Sequence, residues 1–274
     1  MKKFFVLCTA ALLSAALLAG CGSDAGEPAK PASSNNSEIV VGVTAGPHAE
    51  VMDFVQKEAE KQGVKIKVVE FNDYVQPNLA LAQGELAMNA MQHQPYLDNI
   101  VKDRGLKLVS VGKNILLPMA IYSNKYKDLS SLPEGASAAI PNDPTNGGRA
   151  LLLLQQAGLI TLKEDVGVAA SVPDITNNPK NLKIIELEAA QIPRSISDMD
   201  IACVNTNYAI AAGLNPLKDA ILVESKDSPY ANIFAVREAD QNNEAIKKVI
   251  SIYQSEPVKQ FILDHFQGSV IPAF

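Results

Sequence analysis

The regular alternation of short apolar runs with longer helical segments constrains the fold of this 274-residue chain more than any other feature. Runs rich in Val and Ile, such as 39–43, 64–71 and 201–204, have the length and composition of buried strands. The segments between them repeat apolar residues at helical spacing. The first helix is predicted to begin at Pro47, where a missing N–H costs no hydrogen bond. Alternating strands and helices are typical of an α/β fold, which is the fold class we predict.

The remaining predicted elements extend this pattern to the end of the chain. Further strands are predicted over 86–90, 107–111, 119–123, 137–140, 183–187, 221–223 and 232–237, and further helices from near Pro95 to before Gly105, after Asn146 through 151–154, and over 243–254 and 256–266. The pattern breaks near 127–135 and again near 226–230. We therefore predict two lobes with a cleft between them, the first built from 38–126 plus 228–274 and the second from 127–227.

The first 37 residues are predicted to be a targeting segment rather than part of the fold. Residues 1–20 combine Lys2 and Lys3 with a long apolar run, as a signal peptide does. The run ends in Leu-Ala-Gly-Cys, which looks like a bacterial lipobox, so we predict cleavage before Cys21 and lipid attachment to its thiol. A transmembrane anchor is the alternative, but a spanning helix needs roughly 20 apolar residues and this run is shorter. Residues 21–37 are predicted to be a flexible tether.

Composition and cysteine content argue against several other classes of protein. The chain has 24 basic and 30 acidic residues and a net charge of −6, which disfavours nucleic-acid binding. If Cys8 leaves with the signal peptide and Cys21 is lipidated, only Cys203 remains, so we expect no intramolecular disulfide. Motifs for nucleotide loops, zinc helices and nucleophile elbows are missing, and the three His residues lack metal-ligand spacing. Neither catalysis nor a cofactor nor a metal is predicted.

The segment 142–149, Asn-Asp-Pro-Thr-Asn-Gly-Gly-Arg, has the composition of a small anion site. It follows a predicted strand and opens an apolar helix, so its first N–H groups and the helix dipole would favour a negative charge. Gly147 and Gly148 would let the backbone approach a ligand, and Arg149 would offer a bidentate fork to a carboxylate. The alternative is an ordinary capped helix with Arg149 in solvent, because Asn, Asp and Pro are also what a helix start prefers.

Two more polar or aromatic clusters follow predicted strands, where ligand clefts of α/β sheets collect their residues. The first comprises 71–74 and 91–96 and brings two Tyr, a Met and a His that suit a thioether side chain. The second comprises 205–208 with Asn232, whose amide oxygens can accept hydrogen bonds from an ammonium. For each cluster the alternative is structural, with the rings in the core and the Asn residues in caps and turns.

Five segments together resemble the methionine-binding lipoproteins of the NlpA type, and the resemblance extends from about Glu38 to Phe274. The segments are 71–74, 92–97, 142–149, 178–182 and 228–232. The resemblance implies a two-lobed periplasmic-binding-protein fold, type II-like, that closes over methionine without catalysis. It also implies delivery to the transmembrane and ATPase subunits of an ABC importer, with the protein anchored by its lipid to the extracytoplasmic (periplasmic) face of the cell membrane.

The resemblance assigns ligand roles to eight residues. It implies that Arg149, helped by Asn146, binds the ligand carboxylate, and that Asn205 and Asn232 bind the ammonium and carboxylate ends. It implies a side-chain pocket formed by Tyr74, Met91, His93 and Tyr96, where Met91 stands in place of the Phe of many family members. Asn207 is a weaker candidate.

Three alternatives to methionine transport remain open from the sequence. Within the same class, the ligand could be a methionine-containing dipeptide or another apolar amino acid. An extracytoplasmic hydrolase could use His93 with a nearby carboxylate such as Asp73. A surface interaction protein would bind no small ligand.

Overall fold

The structure, a computed structural model, describes residues 38–274. The predicted signal peptide, Cys21 and tether lie outside the described residues and stay predictions. Across 38–274, none of the helices combines the length and the apolar character needed to cross a bilayer.

Fourteen strands and eight α-helices alternate along the described chain, which confirms the predicted α/β class. The strands are β1 Ile39–Thr44, β2 Ile66–Phe71, β3 Met88–His93, β4 Leu108–Lys113, β5 Ile115–Leu116, β6 Ala120–Tyr122, β7 Ser137–Pro141, β8 Thr161–Leu162, β9 Ile175–Asn177, β10 Lys183–Leu187, β11 Ile201–Val204, β12 Leu222–Val223, β13 Asn232–Arg237 and β14 Ile271–Pro272. The helices are α1 Pro47–Glu60, α2 Gln76–Gln83, α3 Gln94–Arg104, α4 Pro144–Gln156, α5 Ile192–Ser195, α6 Thr206–Ala211, α7 Glu244–Tyr253 and α8 Glu256–Phe266.

Two five-stranded sheets organise these elements. The first sheet has the order β2-β1-β3-β13-β4, with β1 parallel to β2 and β3 and with β13 antiparallel to its neighbours. The second has the order β10-β7-β11-β6-β12, with β7 parallel to β10 and β11 and with β6 antiparallel to its neighbours. Parallel neighbours need crossover connections, which the intervening helices supply. We call the first sheet with its helices the first lobe and the second sheet with its helices the second lobe.

The sheet membership of β6 differs from the predicted lobe boundary. The prediction assigned 38–126 to the first lobe, but Ala120–Tyr122 pairs with β11 and β12 in the second sheet. The chain therefore leaves the first sheet before residue 120. The break predicted near 127–135 marks the loop after β6, because a short apolar strand carries no signal of the sheet it joins.

Each lobe buries its own apolar core. In the first, the interior faces of β1, β3 and β13 pack against α1, α7 and α8. In the second, β7 and β11 pack against the apolar face of α4, where Leu151 and Leu154 are buried. Cys203 lies in this second core as a free thiol, and burial raises its pKa to about 12, so the thiol stays protonated. At this position Cys203 serves as a small buried hydrophobe.

The long helices were easier to predict than the short ones. Helix α1 begins at Pro47 as predicted, and α8 has the predicted bounds, whereas α4 begins at Pro144, before the predicted start after Asn146. Helices α2, α5 and α6 were not predicted because they span eight residues or fewer and show little apolar periodicity.

Candidate ligand-binding site

A small cavity lies between the two lobes and is lined by residues of both. All eight predicted ligand residues line it, and so does Asn207. The lining also includes four residues to which no ligand role was assigned from the sequence, namely His48, Gln92, Leu117 and Thr206. Residues that are far apart in the sequence meet here because strand ends of both sheets point toward the same space.

Helix α4 begins at the cavity, but its first N–H groups are already satisfied. The Asp143 carboxylate accepts hydrogen bonds from the backbone N–H of Thr145 at 3.2 Å and of Asn146 at 2.9 Å. A Cβ on Gly147 would lie 2.8 Å from the Pro141 carbonyl oxygen, and one on Gly148 would lie 2.8 Å from that of Ala170. The two glycines therefore serve packing of the protein backbone. The prediction that they and the helix N–H groups would face an anion is wrong.

Arg149 is buried, which excludes the alternative of a solvent-exposed side chain. Its Nε donates to Glu224 Oε1 at 3.0 Å, and its Nη2 donates to Glu224 Oε2 at 2.5 Å and to the Leu117 carbonyl oxygen at 2.8 Å. The guanidinium also lies over the Tyr230 ring, 4.5 Å from its centroid. Among the described residues, Nη1 has no hydrogen-bond partner. The predicted bidentate fork is thus occupied by Glu224, and Nη1 is the nitrogen left for a ligand.

The side chains of Asn146 and Asn205 form a chain of hydrogen bonds with one unpaired end. Asn146 Oδ1 accepts from Asn205 Nδ2 at 2.8 Å, while Asn146 Nδ2 donates to Asp143 at 2.9 Å. Asn205 Oδ1 has no partner within residues 38–274, although Asn205 is only 7% exposed. Because an unpaired buried acceptor costs about 1–3 kcal/mol, this oxygen marks a position where a ligand donor would be stabilised.

Two buried histidines are held in neutral forms. His93 Nδ1 accepts from the Tyr96 backbone N–H at 3.1 Å, so Nε2 carries the proton and donates to Asn146 Oδ1 at 3.0 Å. Burial, together with the nearby Arg149 charge, lowers the pKa of His93 to about 3. Burial also lowers the pKa of His48 to about 4, and its Nε2 donates to Asn232 Oδ1 at 2.8 Å. Both rings are uncharged at neutral pH.

These hydrogen bonds bear directly on two of the predicted residues. Because Asn232 Oδ1 accepts from His48, the amide nitrogen of Asn232 is the atom left for other partners. Its contact with the Tyr230 carbonyl oxygen is long, at 3.4 Å.

Asp73 and His93 do not contact each other. Asp73 Oδ1 accepts from the backbone N–H groups of Val75 and Gln76, and both ring nitrogens of His93 have other partners. The His–Asp pair that a hydrolase would use is not formed.

Aromatic rings form the other wall of the cavity. The Tyr74 ring packs against Tyr96 at a centroid distance of 5.8 Å and against Tyr208 at 4.9 Å. Its hydroxyl donates to Asn207 Oδ1 at 2.7 Å, and burial raises its pKa well above the ordinary value. Met91 lies in the same cluster. Ring edges and a thioether make a polarizable surface that suits an apolar, sulfur-containing side chain.

Comparison with known proteins identifies the family. The sequence pattern described as NlpA lipoprotein matches residues 39–274. The chain belongs to the NlpA lipoprotein family. A family relative in Salmonella typhimurium, the "D-methionine-binding lipoprotein MetQ", is 49% identical over 264 residues, which cover 95% of this chain and 94% of that protein.

Solved structures of similar proteins confirm the fold. A nutrient binding protein from Burkholderia cenocepacia bound to methionine has a TM-score of 0.84 and 55% identity, over 86% of this chain and all of that chain. A periplasmic substrate-binding protein of an ABC transporter from Coxiella burnetii has a TM-score of 0.83 and 45% identity over the same shares. The predicted two-lobed periplasmic-binding-protein fold is therefore confirmed for this NlpA family member.

Glu224 and Tyr230 contact Arg149, and His48 contacts Asn232, but none of the three was assigned a role from the sequence. His48 lies shortly after β1, so the rule that polar residues after strands line the cleft could have found it. Tyr230 stands in the 228–232 segment that carries the resemblance. Nothing in the sequence signals the pairing of Glu224 with Arg149, since 75 residues separate them.

Proposed function

We propose that this chain is a lipid-anchored, extracytoplasmic binding protein that captures methionine and delivers it to an ABC importer. The observation that carries this proposal is a buried cavity in which the unpaired Asn205 Oδ1 and the Arg149 Nη1 lie together with Met91 and the tyrosine rings. One end of the cavity suits an ammonium and a carboxylate, and the other suits an apolar side chain.

Tight binding of methionine requires contacts at both ends of the cavity. Burial of a methionine side chain contributes about 1.5–3 kcal/mol, which by itself gives only weak capture. Charge-assisted hydrogen bonds to the ammonium and carboxylate are stronger than neutral ones and gain further strength where water is excluded. Closure of the lobes over the ligand would provide that exclusion.

The first test is to identify what the protein carries. The full chain is purified in detergent and denatured, and the released small molecules are identified by mass spectrometry. Recovery of methionine supports the proposal. If the protein is empty, and if an excess of methionine does not raise its melting temperature, the proposal is wrong, because a ligand at about 100 times its Kd should add roughly 2.7 kcal/mol to the free energy of unfolding.

Titration with L-methionine, D-methionine and a glycyl-methionine dipeptide then tests the specificity. The Salmonella typhimurium relative is named for D-methionine, and the Burkholderia cenocepacia protein was solved with methionine bound. We expect free methionine to bind more tightly than the dipeptide, because the cavity is lined by buried side chains that leave little room for a second residue. Tighter binding of the dipeptide would keep the transport role and change the substrate.

The lipid anchor and the importer need separate tests. A Cys21→Ser variant should lose incorporation of radiolabelled fatty acid and appear in the soluble fraction, whereas a Cys203→Ser variant should keep both the label and the membrane association. A cell that lacks the gene should lose methionine uptake at low concentration and regain it with the wild-type gene. Unchanged uptake would exclude the delivery role.

A further inference from the structure

Glu224 lies behind the cavity rather than in it. It follows β12, its side chain is 11% exposed, and both of its oxygens contact Arg149. Glu224 Oε2 also accepts a hydrogen bond from the Met119 backbone N–H at 3.2 Å. Arg149 separates the Glu224 carboxylate from the cavity, so the carboxylate can act on a ligand only through Arg149.

The pairing sets the charge of the binding site. Among the described residues that line the cavity, Arg149 is the one with a charged side chain at neutral pH, since His48 and His93 are neutral. The negative charge of Glu224 cancels that of Arg149. The nearby Asp143 carboxylate is directed to the N-terminus of α4, where the helix dipole and two N–H groups stabilise it.

We propose that Glu224 is the residue that sets the charge selectivity of the site, because it makes the cavity neutral and so favours a zwitterion over ligands with a net charge. The inference deepens the proposed function and rests on it. A zwitterion adds no net charge to a buried site, whereas an anion or a cation adds an uncompensated charge whose desolvation is costly. Without Glu224, the unscreened Arg149 would favour any carboxylate, with or without an ammonium group.

The experiment compares three ligands that differ in charge and share the methionine side chain. They are methionine, 4-(methylthio)butanoate, which lacks the ammonium and is anionic, and methioninamide, which lacks the carboxylate and is cationic. Dissociation constants are measured by calorimetry for the full chain in detergent, as wild type and as Glu224→Gln. The glutamine keeps the size and the acceptor oxygen and removes the charge.

We expect wild type to prefer methionine to both analogues. In Glu224→Gln, the Kd of the anionic analogue relative to that of methionine should fall at least tenfold, and the relative Kd of methioninamide should rise. Ratios within twofold of wild type would overturn the inference while leaving methionine binding intact. Failure of the wild type to bind methionine would instead overturn the proposed function, so the two failures are distinguishable.

Two further variants separate the charge from the structural role of Glu224. Glu224→Asp keeps the charge and should keep the wild-type ratios, even if binding of all three ligands weakens. The double variant R149Q/E224Q is neutral again and should return to a preference for methionine over both analogues. If Glu224→Gln does not fold, the double variant alone tests the proposal. A tenfold preference of R149Q/E224Q for either charged analogue over methionine would contradict the proposal.

Discussion

The two lobes have similar sheets but present different chemistry to the cavity. In both, three parallel strands are followed by an antiparallel strand from another part of the chain. The first lobe contributes the rings of Tyr74 and Tyr96 with Met91, whereas the second contributes Asn146, Arg149 and Asn205. Under the proposed function, the first lobe recognises the side chain, and the second lobe, together with Asn232 of the first, recognises the charged groups common to all amino acids.

This difference implies that neither lobe alone forms a complete site. Direct hydrogen bonds already join the lobes, from Tyr74 to Asn207 at 2.7 Å and from His93 to Asn146 at 3.0 Å. These bonds are neutral, and each contributes about 0.5–1.5 kcal/mol. They favour closure modestly, and under the proposed function the ligand supplies most of the stabilisation of the closed form.

The largest effect is expected from a substitution that removes a polar side chain of the second lobe from the cavity. Replacement of Arg149 by Ala leaves the Glu224 carboxylate buried without its partner, which should lower the free energy of unfolding by about 3–5 kcal/mol. Methionine affinity should fall tenfold or more, since charge-assisted bonds are worth about 1.5–3 kcal/mol. Chemical denaturation and calorimetry measure the two effects. The exposed Arg194, replaced by Ala, is the matched control and should change neither quantity.

Acid should affect the first lobe, because both buried histidines belong to it. The folded-state pKa values, about 4 for His48 and about 3 for His93, lie below the unfolded value of 6.5, so the unfolded chain binds more protons in this window. The contribution of these neutral histidines to the free energy of unfolding is therefore fully present above about pH 6.5 and is lost as the pH falls toward 4. Between pH 7 and pH 5 we expect a loss of about 2 kcal/mol for each histidine.

Denaturation of a variant separates this histidine effect from other titrations. His48→Gln keeps one donor and one acceptor but cannot be protonated, so about half of the pH dependence between pH 7 and pH 5 should disappear. An equal pH dependence in His48→Gln and wild type would contradict the assignment.

The Asn205→Ala variant tests the polar side of the second lobe, because this substitution should change methionine affinity and protein stability by different amounts. Loss of the Oδ1 acceptor should weaken methionine binding by about 1.5–3 kcal/mol if that oxygen binds the ammonium. Stability of the ligand-free protein should change less than affinity, since an unpaired buried acceptor is removed together with the Asn146 bond. Calorimetry and thermal denaturation without ligand provide the two values. A loss of stability as large as the loss of affinity would indicate a structural role instead.

The smallest expected effect concerns the contact between the lobes. Tyr74→Phe removes the hydroxyl that binds Asn207 and keeps the ring, so affinity should fall by about 0.5–1.5 kcal/mol. Tyr126→Phe is the control, because within the described chain its hydroxyl makes no hydrogen bond. A Tyr74→Phe variant with wild-type affinity would show that this bond does not contribute to closure.

Local pattern was sufficient for much of the fold and for the choice of site residues. The strand at 201–204 and the helices from Pro47 and over 256–266 follow from apolar periodicity, which depends only on neighbours in the chain. Polar residues after strands, together with the family resemblance, selected eight residues that all line one cavity. Their roles in binding stay predictions until the variants are measured.

The sequence by itself therefore determined the fold class, the positions of the long elements and the family of this protein, because each depends on local periodicity or on short motifs. Only the tertiary structure decided which sheet β6 joins, that Gly147 and Gly148 pack against carbonyl oxygens, and that Glu224 occupies two nitrogens of Arg149. These features arise from contacts between residues far apart in the chain. Periodicity carries no information about such partners, so the pairing that sets the charge of the site is decided by the tertiary structure.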